Sequence, residues 1–383
     1  MSPELSRRSL LLGGGALVAG ATLAAAGAAA AIDQATPEPT GRRLSAAGRT
    51  QAGVARPATP QRNALHAVFA VPDTSRLQRD LAALGSAILA LLDGPSQTPN
   101  PTLPDGPGDL TVHVGLGPRP LRAIDPSLPG ATPMPSFARD DAIAADRRDG
   151  DLLVALASSD AGALRPALDH LLQAVPTLVP LWAEHGFRAA GEGTVARNPL
   201  GYLDGIIVPE GQDELDENVW ITSGPLAGAT VCVLRRLRLD RRAFTALDVP
   251  ARDGVIGRHA DGRPLSGGGP RTQVDLQAKT PEGEYLVPAR AHARAAHPSF
   301  TGSALMLRRG YAFDRGPDPT SGVDDAGLLF VCFARDLDAF VRTQLRLDEV
   351  DDLMTYATAT ASGSFLVLPG FSRTRPLGSP LFT

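Results

Sequence analysis

The chain has 383 residues, 43% of them apolar, enough for one large domain or two ordinary ones with a sizeable core. Its formal net charge is −4, with acidic and basic residues mixed along the whole length, so there is no basic footprint for nucleic acid. Nearly every basic residue is arginine, Lys279 being the only lysine.

The N-terminus reads SRRSLLLGGGALVAGATLAAAGAAAAI, in which Arg7 and Arg8 precede a weakly apolar run and then small residues suited to cleavage. This looks like a twin-arginine export signal, with the twin-arginine translocase as partner. A transmembrane anchor is the competing reading, but a run so rich in glycine and alanine inserts poorly beside one of leucine and isoleucine. From about Ile32 to Thr59 the chain is Pro, Ala, Thr and Arg without periodicity, the composition of a flexible leader.

HAVFAV (66–71) is a β-type run, and DTSRLQRDLAALGSAILALL (73–92) repeats its apolar residues at helical spacing behind a cap region at Asp73 to Ser75. DLTVHVGLG (109–117) and DLLVALA (151–157) predict strands, ALRPALDHLLQAV (163–175) a helix, and TLVPLWAEHGF (177–187) holds a last strand. The order is β-α-β-β-α-β. The second half repeats it, with ATVCVLRRLRLD (229–240) a strand, 241–258 a helical region, and ALMLRRGYAF (304–313) and GLLFVCFAR (327–335) strands. DLDAFVRTQLRL (336–347) is then a helix and SFLVLPG (364–370) a final strand. Two such units predict an α+β class, a duplicated ferredoxin-like fold. The expected division is a signal and leader over 1–45, a first half over 46–215 and a second over 216–383. Cys232 and Cys332 sit in the apolar runs TVCVL and FVCFA without metal-site spacing and are expected as buried thiols, a disulfide depending on their Cα separation.

Long loops are expected at 95–108, 117–145, 260–303 and 315–326, and loops of that length in a compact domain are functional or mobile. The third contains His292, a candidate metal ligand, with Arg308 sixteen residues further on. A lone loop histidine is more often solvated or hydrogen-bonded than ligating. A second element changes the balance: NPLGYLDGI (198–206) carries Gly201, Asp204 and Gly205 in a G-x-x-D-G pattern at the join between the halves. Asp-Gly also occurs at Asp93, Asp105, Asp149, Asp253 and Asp261, where it predicts turns.

Together these stretches resemble the dye-decolourising peroxidases. QAGV (51–54), GDLLVALA (150–157), RNPLGYLDG (197–205), VIGR (255–258), MLRRGYAFD (306–314) and LLFVCFARD (328–336) look like that family's counterparts, in the right order, over roughly residues 50 to 370. The resemblance implies the same duplicated fold, with haem b between a sheet and the long loops. It also implies hydrogen peroxide as oxidant and dyes, phenolics or other small molecules as electron donors. His292 is then the proximal iron ligand, Asp204 the distal acid-base, Arg308 the distal cation, and Gly205 part of the haem-facing loop. Arg258 is assigned to a haem propionate, and Phe330 and Phe333 to the pocket wall, where ordinary core is an equally good reading. His297 is a rival ligand at the wrong distance from Arg308.

Two departures from the family stand out. Tyr202 and Leu203 replace the residues usual within the G-x-x-D-G loop, which bears on substrate access. The carboxylate expected behind the proximal histidine has to come from among Asp348, Glu349, Asp351 and Asp352, since Thr355 stands where an acid is expected, and Asp352 is the expected one. Export by the twin-arginine route suits a protein that acquires its cofactor in the cytoplasm, and places it in the periplasm, the cell envelope or outside. The alternative function is an exported haem- or porphyrin-handling protein linked to iron acquisition. Oligomeric state is open, a homo-oligomer included. Dyes too large for a peroxide-sized pocket imply electron flow through Tyr202, Tyr285, Tyr311, Tyr356, Trp182 or Trp220, which the sequence does not rank.

Overall fold

The structure, a computed structural model, describes residues 43–94 and 101–382, and the expected export signal lies outside them. The first half runs β1 (Asn63–Ala70), α1 (Leu77–Asp93), β2 (Thr111–Leu116), α2 (Pro118–Ile124), β3 (Leu152–Ser158), α3 (Leu164–Gln173) and β4 (Val179–Phe187). A linking segment holds the two-residue strands β5 (Ala196–Arg197) and β6 (Leu203–Asp204), then α4 (Gly211–Asn218). The second half runs β7 (Thr230–Leu239), α5 (Arg241–Ala246), α6 (Val249–Ile256), α7 (His292–Ala295), α8 (Pro298–Thr301), β8 (Leu307–Arg308) and β9 (Tyr311–Pro317). It ends with β10 (Asp324–Ala334), α9 (Asp338–Val350) and β11 (Ala357–Val367).

The first half orders its antiparallel strands β2-β3-β1-β4 and the second β11-β7-β10-β9, each the pattern of a split β-α-β unit. β4 pairs with β9 through Phe187 and Ala312, and β2 pairs with β11 through Leu116 and Leu366. With β7 also bonded to β10, the nine-stranded sheet closes on itself.

Strand alternation then sorts side chains between an inner and an outer face. On β1, Leu65, Ala67 and Phe69 join the core beneath α1 and α3, while Ala64 and Val68 join the inner core with Trp182, Tyr311, Phe313 and Phe365. Both faces of β1 are covered, which is why its sequence is nearly continuously apolar. Over the second half the outer layer is less filled, and there the cavity lies.

Several expectations change. The leader does not extend to Thr59: Ala46, Gln51, Ala52 and Val54 are buried, because the Gln51 amide donates to Val114 O (2.8 Å) and Leu368 O (2.9 Å) and accepts from Val114 N where β2 and β11 meet. The strand expected over 304–313 breaks into β8 and β9, both paired to β10. β11 begins at Ala357, ahead of the expected strand, and the loop over 315–326 is shortened by β9 and β10. Asp253 is helical in α6 and not in a turn. The boundary expected at 215/216 falls inside α4. Cys232 and Cys332 are buried free thiols.

Candidate active site

One cavity brings together His292, Asp204, Arg308, Arg258 and Phe330, walled by the outer face of β7 and β10, by α9, and by the segments around 198–207 and 292–306. His292 opens α7. Its Nδ1 lies 2.6 Å from Asp351 Oδ2, so the ring donates there and leaves Nε2 for the cavity that His292 lines. Asp351 ends α9, and its other oxygen accepts from Leu353 N at 2.9 Å, capping the short helical turn Asp352–Tyr356. The supporting carboxylate is therefore Asp351 and not Asp352, whose side chain is turned outward to Arg290 (2.5 Å). Burial alone would lower the basicity of His292, but the charge and hydrogen bond of Asp351, with a contribution from Asp204, outweigh it and raise the ring above its ordinary value.

The G-x-x-D-G segment folds as a tight ribbon in which Ala196 pairs with Asp204. Asn198 Oδ1 accepts from Leu200 N and Tyr202 N, and Gly201 takes φ +88° to close the turn. Gly205 is required twice over: its φ is +79°, and a Cβ there would come within 2.3 Å of Thr194 O. Its N–H donates to Asp204 Oδ1 at 2.5 Å. Arg308 donates to Ile207 O at 2.9 Å and approaches Asp204 Oδ1 at 3.4 Å. Burial would raise the Asp204 carboxyl, but Arg308, the Gly205 N–H and His292 hold it below the usual carboxylate range.

Arginine doublets divide between the two sheet faces. Arg308 and Arg235 line the cavity. Arg309 points inward and donates to Val54 O (2.7 Å) and Pro57 O (2.8 Å); Arg236 pairs with Glu184 (2.6 Å) and Asp325 (2.7 Å) beneath Phe313. Phe330 and Phe333 separate by the same parity. Phe330 lines the cavity, whereas Phe333 points into the inner core against His113 at 5.5 Å, so it is no part of the wall. Arg258 is buried, donating to Gly262 O (2.9 Å) and Thr272 O (3.0 Å).

Sequence reasoning missed two supports. Asp253 accepts from Tyr202 Oη (2.6 Å) and pairs with His259 Nδ1 (2.7 Å), fixing the loop before Asp204. Asp140 receives the buried Arg235 at 2.6 Å, neutralising a cation on the cavity wall. The doublet in an apolar strand was a signal for Arg235; nothing marked Asp140. His297 also lines the cavity, but its Nδ1 is engaged, accepting from Ser299 N at 3.1 Å.

Among the described residues no group of three or more His, Cys, Asp or Glu could hold a bare metal ion. A single carboxylate-backed histidine facing a largely apolar slot instead suits iron carried in a porphyrin, with Arg258 lining the same slot. The residues present fit haem.

Comparison with known proteins agrees. The family model for Dyp-type peroxidase, C-terminal, matches residues 195–372. A dye-decolorizing peroxidase from Thermobifida fusca is 34% identical over 295 residues, 72% of this chain and 68% of that protein. A deferrochelatase from Shigella flexneri is 28% identical over 406 aligned positions, 96% of this chain and 94% of that protein. Among solved structures, ferric DtpA from Streptomyces lividans superposes with TM-score 0.81 at 30% identity, covering 90% of this chain and 98% of that one. The DyP-type peroxidase from Cellulomonas bogoriensis gives TM-score 0.80 at 29% identity, covering 90% and 99%. The chain belongs to the dye-decolourising peroxidase family, haem-dependent oxidoreductases that use hydrogen peroxide.

Proposed function

We propose that His292 ligates haem iron through Nε2, that Asp204 and Arg308 form the distal pair, and that the protein oxidises dyes, phenolics or similar donors. The observation that carries this reading is that a histidine backed by Asp351 and an ionised aspartate beside Arg308 line one cavity. Haem, when bound, supplies the iron at which peroxide is reduced. Asp204 accepts a proton from one peroxide oxygen and returns it to the other, so that water can leave. The Arg308 guanidinium, anchored on Ile207 O, stabilises negative charge as the O–O bond breaks, and it does so without reorganising. Asp351 keeps the ligand nitrogen basic. Arg258, held by two backbone carbonyls, would meet a haem propionate.

Stopped-flow mixing of the haem-loaded protein with peroxide tests the assignment. Fast reaction in the wild type and slow reaction in Asp204→Asn and Arg308→Leu is expected; wild-type rates in both variants would remove them from the chemistry.

A second reading, haem or porphyrin handling in iron acquisition, draws support from the deferrochelatase likeness over 96% of the chain. Release of iron-free porphyrin with little donor oxidation would favour it. We also propose twin-arginine export, on the strength of Arg7, Arg8 and the weakly apolar run after them. Unchanged export of an Arg7→Lys, Arg8→Lys double variant would count against that route.

A further inference from the structure

We propose that Arg188 selects the oxidant by size, as a partition that lets hydrogen peroxide reach the distal pair and turns larger hydroperoxides away; the inference rests on the haem peroxidase reading above. Arg188 follows β4 directly and lines two separate spaces. On its inner side lies a pocket of about 40 Å³ bounded by Asp204, Gly205 and Arg308. On its outer side lies a vestibule of about 500 Å³ walled by Thr59, Gln61 and the exposed Ala189 and Ala190. Among the described residues Arg188 alone lines both. Asp204 and Arg308 also line the haem cavity, so vestibule, Arg188, inner pocket and haem cavity follow one another in space.

The partition is held from both ends. Arg188 N donates to Arg62 O at 2.9 Å, just before β1, and Nη2 donates to Thr194 O at 2.9 Å. Thr194 Oγ1 donates in turn to Gly205 O at 2.8 Å, which ties the guanidinium through one residue to the loop that carries Asp204.

Arg188 is only 9% exposed and forms no ion pair among the described residues. Burial pulls its guanidinium below the ordinary value, with Tyr311 and Asp204 opposing, and the group stays cationic. A nearly buried cation without a paired carboxylate is costly to keep, so packing alone does not account for its place. It offers N–H donors to an incoming oxygen and takes no proton from it. Gln61, on the vestibule wall, has a buried Oε1 without a hydrogen-bond partner among the described residues, an acceptor for an O–H.

Hydrogen peroxide both donates and accepts, so it can exchange its water hydrogen bonds for these. The hydrocarbon part of an organic hydroperoxide cannot, and it would leave the polar groups it passes unpaired. Size acts in the same direction. One water needs about 10–15 Å³ of such space, so the inner pocket has room for about three oxygen-sized atoms. Hydrogen peroxide fits there, and a hydroperoxide bearing a phenyl ring does not.

The test follows cyanide binding to the ferric, haem-loaded protein in the Soret band, beside stopped-flow reaction with hydrogen peroxide and with cumene hydroperoxide. Ala190→Trp, at an exposed position away from the haem cavity, should fill the vestibule and slow both cyanide binding and the hydrogen peroxide reaction by about tenfold or more, with the resting Soret spectrum unchanged. Arg188→Ala should raise the rate with cumene hydroperoxide relative to that with hydrogen peroxide by about tenfold or more. Both oxidants give their proton to Asp204, so this ratio cancels any change in that carboxylate. Wild-type cyanide and peroxide rates in Ala190→Trp overturn the route, and an unchanged ratio in Arg188→Ala overturns the role of Arg188. Wild type that binds cyanide yet does not react with hydrogen peroxide overturns the peroxidase reading itself, a distinguishable result.

Discussion

Asp351 holds His292 Nδ1 at 2.6 Å with a carboxylate whose side chain is fully enclosed, while its neighbour Asp352 faces outward to Arg290. An enclosed anion has few other partners, so the histidine is fixed in ring orientation and tautomer by this one bond. Asp351→Asn should weaken haem binding by about 10- to 100-fold and shift the iron reduction potential upward. Haem titration and spectroelectrochemistry measure both. Asp352→Asn should leave them unchanged, and the reverse pattern would return the supporting role to Asp352.

The distal pair predicts a pH profile with a definite sign. Burial raises the Asp204 carboxyl, and Arg308, Gly205 N–H and His292 overcome that effect and keep it ionised below the usual carboxylate range. The acid limb of the peroxide reaction should therefore lie below ordinary carboxylate titration. Arg308→Leu removes the largest of the lowering effects, so the limb should move to higher pH, on top of a fall of about 10²–10³ in rate. Rates of peroxide reaction between pH 3 and 7 decide the matter; an unmoved limb would contradict the coupling.

Gly205→Ala tests the loop separately from the charge. Left-handed backbone costs about 1–2 kcal/mol for a residue with Cβ, and here the added carbon also meets Thr194 O. The variant should bind haem through an intact His292 yet react slowly with peroxide. Urea unfolding and stopped flow together separate this outcome from simple unfolding.

The closed sheet predicts acid lability. His66 and His113 face the inner core 6.4 Å apart, near Arg309 and Tyr311, and His66 Nδ1 and His113 Nε2 find no hydrogen-bond partner among the described residues. Burial pushes them down from 6.5 to about 4 and about 3. Between those values and 6.5 the unfolded chain binds more protons than the folded one. Their contribution is therefore complete above pH 6.5 and falls as the pH drops, by about 1.4 kcal/mol per pH unit for each histidine. The urea midpoint should decline from pH 7 to 5, less steeply in His66→Gln. Equal slopes would mean that the histidines do not report the transition.

Much of this architecture could be read from sequence because it depends on periodicity. The helical spacing of Leu77, Leu81, Leu84 and Ile88 and the apolar run of β1 are local signals, and repeating the element order gave the duplication. Asp204 and Gly205 could be found because a left-handed glycine after an aspartate leaves a pattern. Asp351 could not be told from Asp352, since which of two adjacent acids turns inward depends on how α9 ends. Phe333 was separable in principle: three residues from Phe330 on one strand, it has to face the other way. The Ala-Thr-Ser-rich start of β11 lacks the bulky residues that advertise a strand. The packing of residues 46–54 rests on Gln51 reaching strands distant in sequence, which composition does not show.

The Soret spectrum of haem-reconstituted His292→Ala, read beside wild type and His297→Ala, tests His292 as the iron ligand. The arrangement predicts a normal Soret band in wild type and His297→Ala and loss of stoichiometric haem in His292→Ala. A normal band in His292→Ala, with haem lost from His297→Ala, would contradict it.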